Sequence, residues 1–188
     1  MAGKRKIKLI TVVIMAVVFA ATMLFADDVA RIFYPLKYRD LVIKYSERYN
    51  LDPYLVLAVI KAESSFRHTA VSRKNARGLM QITEGTGKWS AEKIGLKDYT
   101  TDMLFDPEVN INIGCWYLSW LYDEFGDTDL VLAAYNAGSG NVTKWLNDRE
   151  LSSTGRSLDR IPFRETEKYL KKVRNSYLIY KKLYENEF

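Results

Sequence analysis

The sequence predicts an all-α fold, with room for no more than a minimal β element. Three observations carry this. Apolar residues recur at helical spacing throughout the chain beyond residue 26. Two Asp-Pro pairs, Asp52-Pro53 and Asp106-Pro107, each place a capping carboxylate before a proline suited to the first helical position. The length, 188 residues at 48% hydrophobic and 13% aromatic, is enough to bury one good core and too short for two comfortable domains.

Taken in order, Asp40 is placed to cap LVIKYSERYN, where Leu41, Tyr45 and Tyr49 recur every four residues. Asp52 and Pro53 open YLVLAVIKAE, which is apolar on almost every side and therefore central and buried. Residues 67–78 are polar without period and form a loop. A helix from about Thr83 to Ile94 is capped by Thr83, loosened by Gly85 and Gly87, and stopped by Gly95. Asp106-Pro107 opens a longer one through Ile111, Trp116, Leu118, Trp120 and Leu121 to Phe125-Gly126. A short helix runs from Asp127 to about Asn136, and AGSGNV turns the chain into another that ends near Asn147. The loop LSSTGRSLDRIP, with its serine and glycine punctuation, precedes a final helix from about Phe163 that aligns Tyr169, Val173, Tyr177, Tyr180 and Tyr184.

Residues 1–26 stand apart. Lys4, Arg5, Lys6 and Lys8 precede an uncharged run from Leu9 to Ala26, which is either a secretory signal peptide or a transmembrane anchor. A cut after Ala26 would put bulky Leu24 at the outer cleavage position, and a cut after Thr22 would leave a poor inner residue, so an uncleaved anchor is favoured. The basic flank then lies on the cytoplasmic side and residues 27–188 outside the membrane, or secreted if the segment is removed. The leader also holds four of the 28 basic residues and none of the 23 acidic ones, leaving 24 basic against 23 acidic beyond it. A nucleic-acid footprint would need a basic patch in the folded part, and only Lys168, Lys171, Lys172, Arg174, Lys181 and Lys182 on the last helix offer one. That run is expected to be a solvated face, with no nucleic-acid partner.

One cysteine and one histidine remove whole reaction classes. Cys115 cannot form an internal disulfide, and a lone His68 rules out histidine-rich zinc sites. A Cys115/His68 dyad is disfavoured because INIGCWYLSWL is apolar on nearly every face, and a reactive thiolate needs a polar, partly open setting. Glu63 is the informative acid. It ends the buried helix, where burial and the negative end of the helix dipole both oppose its ionisation. A carboxyl kept protonated near neutral pH is what a general acid for glycoside cleavage needs. A structural glutamate bonded to serine hydroxyls or backbone is the alternative.

Four successive stretches, ESSF, NARGLMQIT, LAAYNAGSGNV and IPFRETEKYLKKV, resemble the motifs of the lytic transglycosylase catalytic domain of the soluble-lytic-transglycosylase type. The resemblance covers about residues 36–184 and implies a goose-type-lysozyme-like helical domain with a substrate cleft. It implies Glu63 as the catalytic acid and Ser72 as a serine facing the substrate. Gly78, Leu79, Met80 and Gln81 match the cleft-lining motif, with Met80 and Gln81 as substrate contacts. Tyr135 and Asn136 match the pair near the reaction centre, and Glu165 and Tyr169 match the motif opening the last helix. Gly78 and Gly138 could instead serve only as turn glycines, Met80 as core filler and Tyr169 as part of the aromatic stripe. Where many relatives have proline soon after GLMQ, this chain has Glu84, a further carboxylate near the cleft.

The implied reaction cleaves the bond between N-acetylmuramic acid and N-acetylglucosamine of peptidoglycan glycan strands and leaves 1,6-anhydro ends. Glu63 serves as single acid and base, and no cofactor or metal enters. A hydrolytic muramidase on the same fold and a non-catalytic peptidoglycan-binding scaffold of an envelope machine, held by a protein partner, are the alternatives.

Overall fold

The structure is a computed structural model that describes residues 10–15, 25–185 and 187–188. The chain divides into two units, Met1–Pro35 and Leu36–Phe188. In the first, residues 10–15 and 25–33 are helical, and most of the expected leader lies outside the described residues. No helix among the described residues is long and apolar enough to cross a membrane.

The second unit is helical, and its extended pairing among the described residues is limited to two isolated bridges, Val71 with Arg77 and Arg77 with Ile82. Helix α1 (Arg39–Arg48) corrects one expectation: Asp40 lies within its first turn and does not cap it. Tyr38 holds the capping position in the left-handed conformation (φ 58°, ψ 29°), and no side chain bonds to the helix end. Asp40 still faces the positive end of the helix dipole. Helix α2 (Pro53–Glu63) starts as its sequence dictates, with the Asp52 carboxylate accepting from the Tyr54 N–H at 2.8 Å. Tyr54 to Ile60 and Ala62 are all buried, and α2 packs most widely against α7 (Arg164–Leu183). Each fully buried valine, leucine or isoleucine contributes about 1.5–3 kcal/mol, so α2 is a rigid axle that fixes where Glu63 emerges.

Helix α3 (Glu84–Lys93) is capped by Thr83, and a 3-10 helix at Thr101–Phe105, for which the sequence shows no period, leads into α4 (Pro107–Phe125). Asp106 caps α4 through the Val109 N–H at 2.9 Å, and Gly126 ends it in the left-handed region at φ 68°. Asp127 caps α5 (Thr128–Ala137) through the Asp129 and Leu130 N–H groups, and α6 (Ser139–Leu146) follows with Gly138 between them. Helix α1 packs on α2 and α4, α5 packs on α4, α6 and α7, and α3 with the 3-10 helix packs on α4. Within α7, Tyr169, Val173 and Tyr180 are buried, and Tyr184 just beyond it is buried too. Tyr177 is half-buried, its hydroxyl donating to Asp52 at 2.8 Å. Half of the basic run on α7 is spent on its neighbours: Lys171 pairs with Glu167, Arg174 with Asp129, and Lys172 donates to the Ala62 carbonyl.

Candidate active site

Residues 64–83 connect α2 to α3 without regular structure, so their shape must come from side chains. Asn110, fully buried in α4, supplies it: its Oδ1 accepts from the Met80 N–H at 2.8 Å, and its Nδ2 donates to the Arg77 and Leu104 carbonyls at 3.0 and 2.8 Å. Gly78 lies against this amide at φ 78°, and a Cβ there would come within 2.2 Å of Asn110 Nδ2 and the Leu104 carbonyl oxygen. Only glycine fits both the conformation and the space. Ser64 fastens the other end, donating from Oγ to the Leu79 carbonyl at 2.8 Å.

The loop so held forms one wall of a cleft of about 490 Å³. Its lining combines Glu63 from α2, Ser72, Arg73, Lys74, Ala76, Gln81 and Thr83 from the loop, Tyr135 and Asn136 from α5, and Glu165 from α7. A smaller hollow of about 280 Å³ shares Lys74, Gln81, Thr83, Tyr135 and Asn136 and continues to Tyr117 and Gly138. Another hollow, about 230 Å³ beside Asp52, Leu55 and Tyr177, has its polar groups committed: Asp52 to Tyr177, Tyr122 to Thr128, and Arg174 to Asp129 outside the lining.

Six of the ten residues singled out in the sequence therefore face one cavity: Glu63, Ser72, Gln81, Tyr135, Asn136 and Glu165. The other four lie behind its wall. Met80 is fully buried with its thioether against Gly114, where a Cβ would meet Sδ at 2.3 Å, so it is a support and not a surface for contacting substrate. Leu79 is equally buried, Gly78 shapes the turn, and Tyr169 is buried at the start of α7. Glu84 is exposed in the first turn of α3 and is not among the lining residues. Cys115 is fully buried in α4, and burial pushes its thiol far up, while His68 is exposed with Nδ1 at 3.2 Å from the Phe105 carbonyl. The dyad is thus ruled out on the thiol side.

Polar groups behind the cleft are largely committed. The Tyr135 hydroxyl donates to the Met80 carbonyl at 2.8 Å. Asn136 Oδ1 accepts from the Thr166 hydroxyl at 2.8 Å, tying α5 to α7. Gln81, itself left-handed at φ 50°, donates from Nε2 to the Gly78 and Ala70 carbonyls, leaving Oε1 as its unspent acceptor. Ser72 Oγ accepts the Lys74 and Ala76 N–H groups at 3.2 and 3.1 Å and keeps its own proton to donate.

Glu63 is the last residue of α2. Burial pushes its carboxyl from the ordinary 4.5 up to about 7, Tyr169 and Lys172 draw it partly back, and Glu165 adds to the rise. The Tyr169 hydroxyl is buried without a partner at ordinary hydrogen-bond geometry, yet it is near enough to the carboxyl to favour its charged form. Burial, and then the charge of Glu63, holds both the Tyr135 and Tyr169 hydroxyls well above their ordinary value, so both remain neutral donors. Near neutral pH the cleft therefore offers one carboxyl able to give and regain a proton.

Residues 40–155 match the transglycosylase SLT domain family. The chain belongs to this family. The SLT domain is 37% identical over 147 residues to a soluble lytic murein transglycosylase of Salmonella typhimurium, a match covering 74% of this chain and 22% of the relative. It is 32% identical over 180 residues to membrane-bound lytic murein transglycosylase C of Edwardsiella ictaluri, covering 78% of this chain and 47% of that protein. The chain thus spans between a fifth and a half of the length of these relatives. Among solved structures, the 70 kDa soluble lytic transglycosylase of Escherichia coli superposes with a TM-score of 0.72 at 32% identity, over 81% of this chain and 25% of that one. An inactive Glu-to-Gln mutant of Slt from Pseudomonas aeruginosa superposes at 0.71 with 32% identity, over the same shares of the two chains.

Arg73, Lys74, Ala76 and Thr83 of the lining, and Asn110 beneath it, are absent from the sequence-predicted site. Asn110 had a signal: it is the first of two amides in PEVNINIG, near the start of a largely apolar helix. Arg73 and Lys74 had none, since adjacent charges in a polar loop resemble any solvated turn.

Proposed function

We propose that this SLT domain is a peptidoglycan lytic transglycosylase with Glu63 as its single acid and base. The observation that carries the reading is the placement of half-buried Glu63 in the lining of the cleft, where desolvation raises its carboxyl to about 7 and keeps a proton available at neutral pH. Glu63 gives that proton to the glycosidic oxygen between N-acetylmuramic acid and N-acetylglucosamine, and the bond from the muramoyl carbon 1 to that oxygen breaks. The substrate's own N-acetyl carbonyl supports carbon 1 from the other face. The Glu63 carboxylate then takes the proton of the carbon 6 hydroxyl, whose oxygen closes onto carbon 1, and no water is consumed. Gln81 Oε1, the Asn136 amide N–H groups and the Ser72 hydroxyl are the unspent polar atoms that orient the sugars. Tyr135 cannot serve as a second acid because its proton is committed to Met80. The inactive Glu-to-Gln mutant of the Pseudomonas aeruginosa neighbour supports a reaction that turns on one glutamate.

Residues 9–26 hold the domain outside the cytoplasmic membrane in this reading. Supporting it, Ile10, Val12, Val13, Ile14, Met15 and Phe25 are 53–60% accessible, a grouping of exposed apolar side chains that water alone does not favour. The test of function is to incubate the full chain with purified peptidoglycan and weigh the released muropeptides. The expected products are lighter by one water than hydrolytic ones and resist borohydride, and Glu63→Gln lowers their rate roughly 1,000-fold. Reducible, full-mass ends would make the protein a muramidase, and an intact polymer would make it a binding scaffold.

A further inference from the structure

We propose that Arg73 and Lys74 form a carboxylate-binding pair, and that through it the cleft selects glycan carrying an acidic side arm over neutral glycan. This rests on the reading of the cleft as a peptidoglycan site and adds to it the feature of the substrate that is recognised.

Both side chains line the cleft, and neither makes an ion pair or side-chain hydrogen bond among the described residues. What sets them apart from the other cations is their place, since they are the two cations in the lining of the cleft. Lys44 pairs with Glu108 and Arg77 with Asp102, each at 2.6 Å, while Lys171 pairs with Glu167 and Arg174 with Asp129. Two adjacent cations that repel each other across a cleft lining, with no partner among the described residues to offset them, leave that part of the cleft favourable to an anion.

Their turn is also built. Ser72 accepts from the Lys74 and Ala76 N–H groups through its hydroxyl and from the Asn75 N–H through its carbonyl, and its own N–H donates to the Ala76 carbonyl at 2.9 Å. Asn75 takes the left-handed conformation at φ 58°, Ala76 is buried, and the bridge between Val71 and Arg77 closes the base. The two cations are presented from a fixed support, which reduces the ordering cost of binding. An Arg fork beside a Lys point charge is suited to a carboxylate. The lining also holds Glu165, exposed on α7, which repels an anion and favours its placement by Arg73 and Lys74. Glu63, protonated below about 7, does not compete for the cations.

In peptidoglycan the acidic arm is the lactyl group of the muramoyl sugar. It ends in its own carboxylate on a stripped strand and carries the carboxylates of the peptide stem on an intact one. The test compares three polymers: stemmed peptidoglycan, glycan strands stripped by an amidase, and a neutral N-acetylglucosamine oligomer. Full-length protein is compared with the Arg73→Gln/Lys74→Gln double variant, with Arg73→Glu/Lys74→Glu as a second, and thermal melts confirm that each is folded. The double Gln variant is expected to bind stemmed wall about tenfold more weakly, to bind the neutral oligomer unchanged, and to lose the difference at high salt. The charge reversal deepens the loss. A loss extending to stripped strands assigns the lactyl carboxylate, and one confined to stemmed wall assigns the stem, and both support the pair. Equal loss on the neutral oligomer, or no loss on either acidic polymer, overturns it. A wild type that cleaves wall while the variants match it defeats only this proposal. A wild type that binds none of the three defeats the transglycosylase reading and the pair with it.

Discussion

The floor and the rim of the cleft are built by opposite rules. At the floor, polar atoms are largely committed or shielded: the Tyr135 proton to Met80, the Asn136 oxygen to Thr166, the Asn110 amide to three backbone groups, and Glu63 to burial. On the rim, the turn from Ser72 to Ala76 satisfies its backbone and leaves two cationic side chains without a partner among the described residues. The difference teaches that the floor sets a proton's affinity, at a cost in stability, whereas the rim is free to address the substrate and adds little to the fold.

The largest expected effect comes from breaking the floor at Asn110. Asn110→Ala orphans the Met80 N–H and the Arg77 and Leu104 carbonyls, and should cost about 3–4 kcal/mol in chemical denaturation. A loss below 1 kcal/mol would mean that the loop does not depend on this amide.

Glu63→Gln tests the cost of the raised pKa. The folded carboxyl, at about 7, binds its proton more tightly than an unfolded one at 4.5. Stability tied to Glu63 is therefore full below about 4.5 and lost as pH rises through about 7, a change of about 3 kcal/mol. Relative to wild type, the variant should gain about that much at pH 8 and little at pH 4.5. An equal gain at both values would contradict the assignment.

At the other extreme, replacing Arg73 and Lys74 by alanine should change stability by less than about 0.5 kcal/mol, because neither side chain holds anything in place. A larger loss would make the rim structural and erase its contrast with the floor.

How much of this was legible in the sequence follows the same divide. Helices were, because Asp52, Asp106 and Asp127 act locally on the N–H groups just ahead of them. Asp40 failed because the Tyr38 backbone turns left-handed and starts the helix earlier, with no side chain capping it. The position of Glu63 was legible because it follows from counting along a buried helix from Pro53. The orientation of Met80 was not, since residues 77–82 have no period and their inside and outside are decided by Asn110 and Gly114, more than 25 residues away. The 3-10 helix at Thr101–Phe105 escaped for the same reason: five residues are too few to show a period.

The central claim is that Glu63 holds its proton near neutral pH, and a carboxyl carbon-13 NMR titration tests it most directly, with Glu63→Gln identifying the resonance. The account predicts a midpoint near 7 for Glu63. A midpoint near the ordinary 4.5 would leave the cleft without an acid at neutral pH and contradict the mechanism.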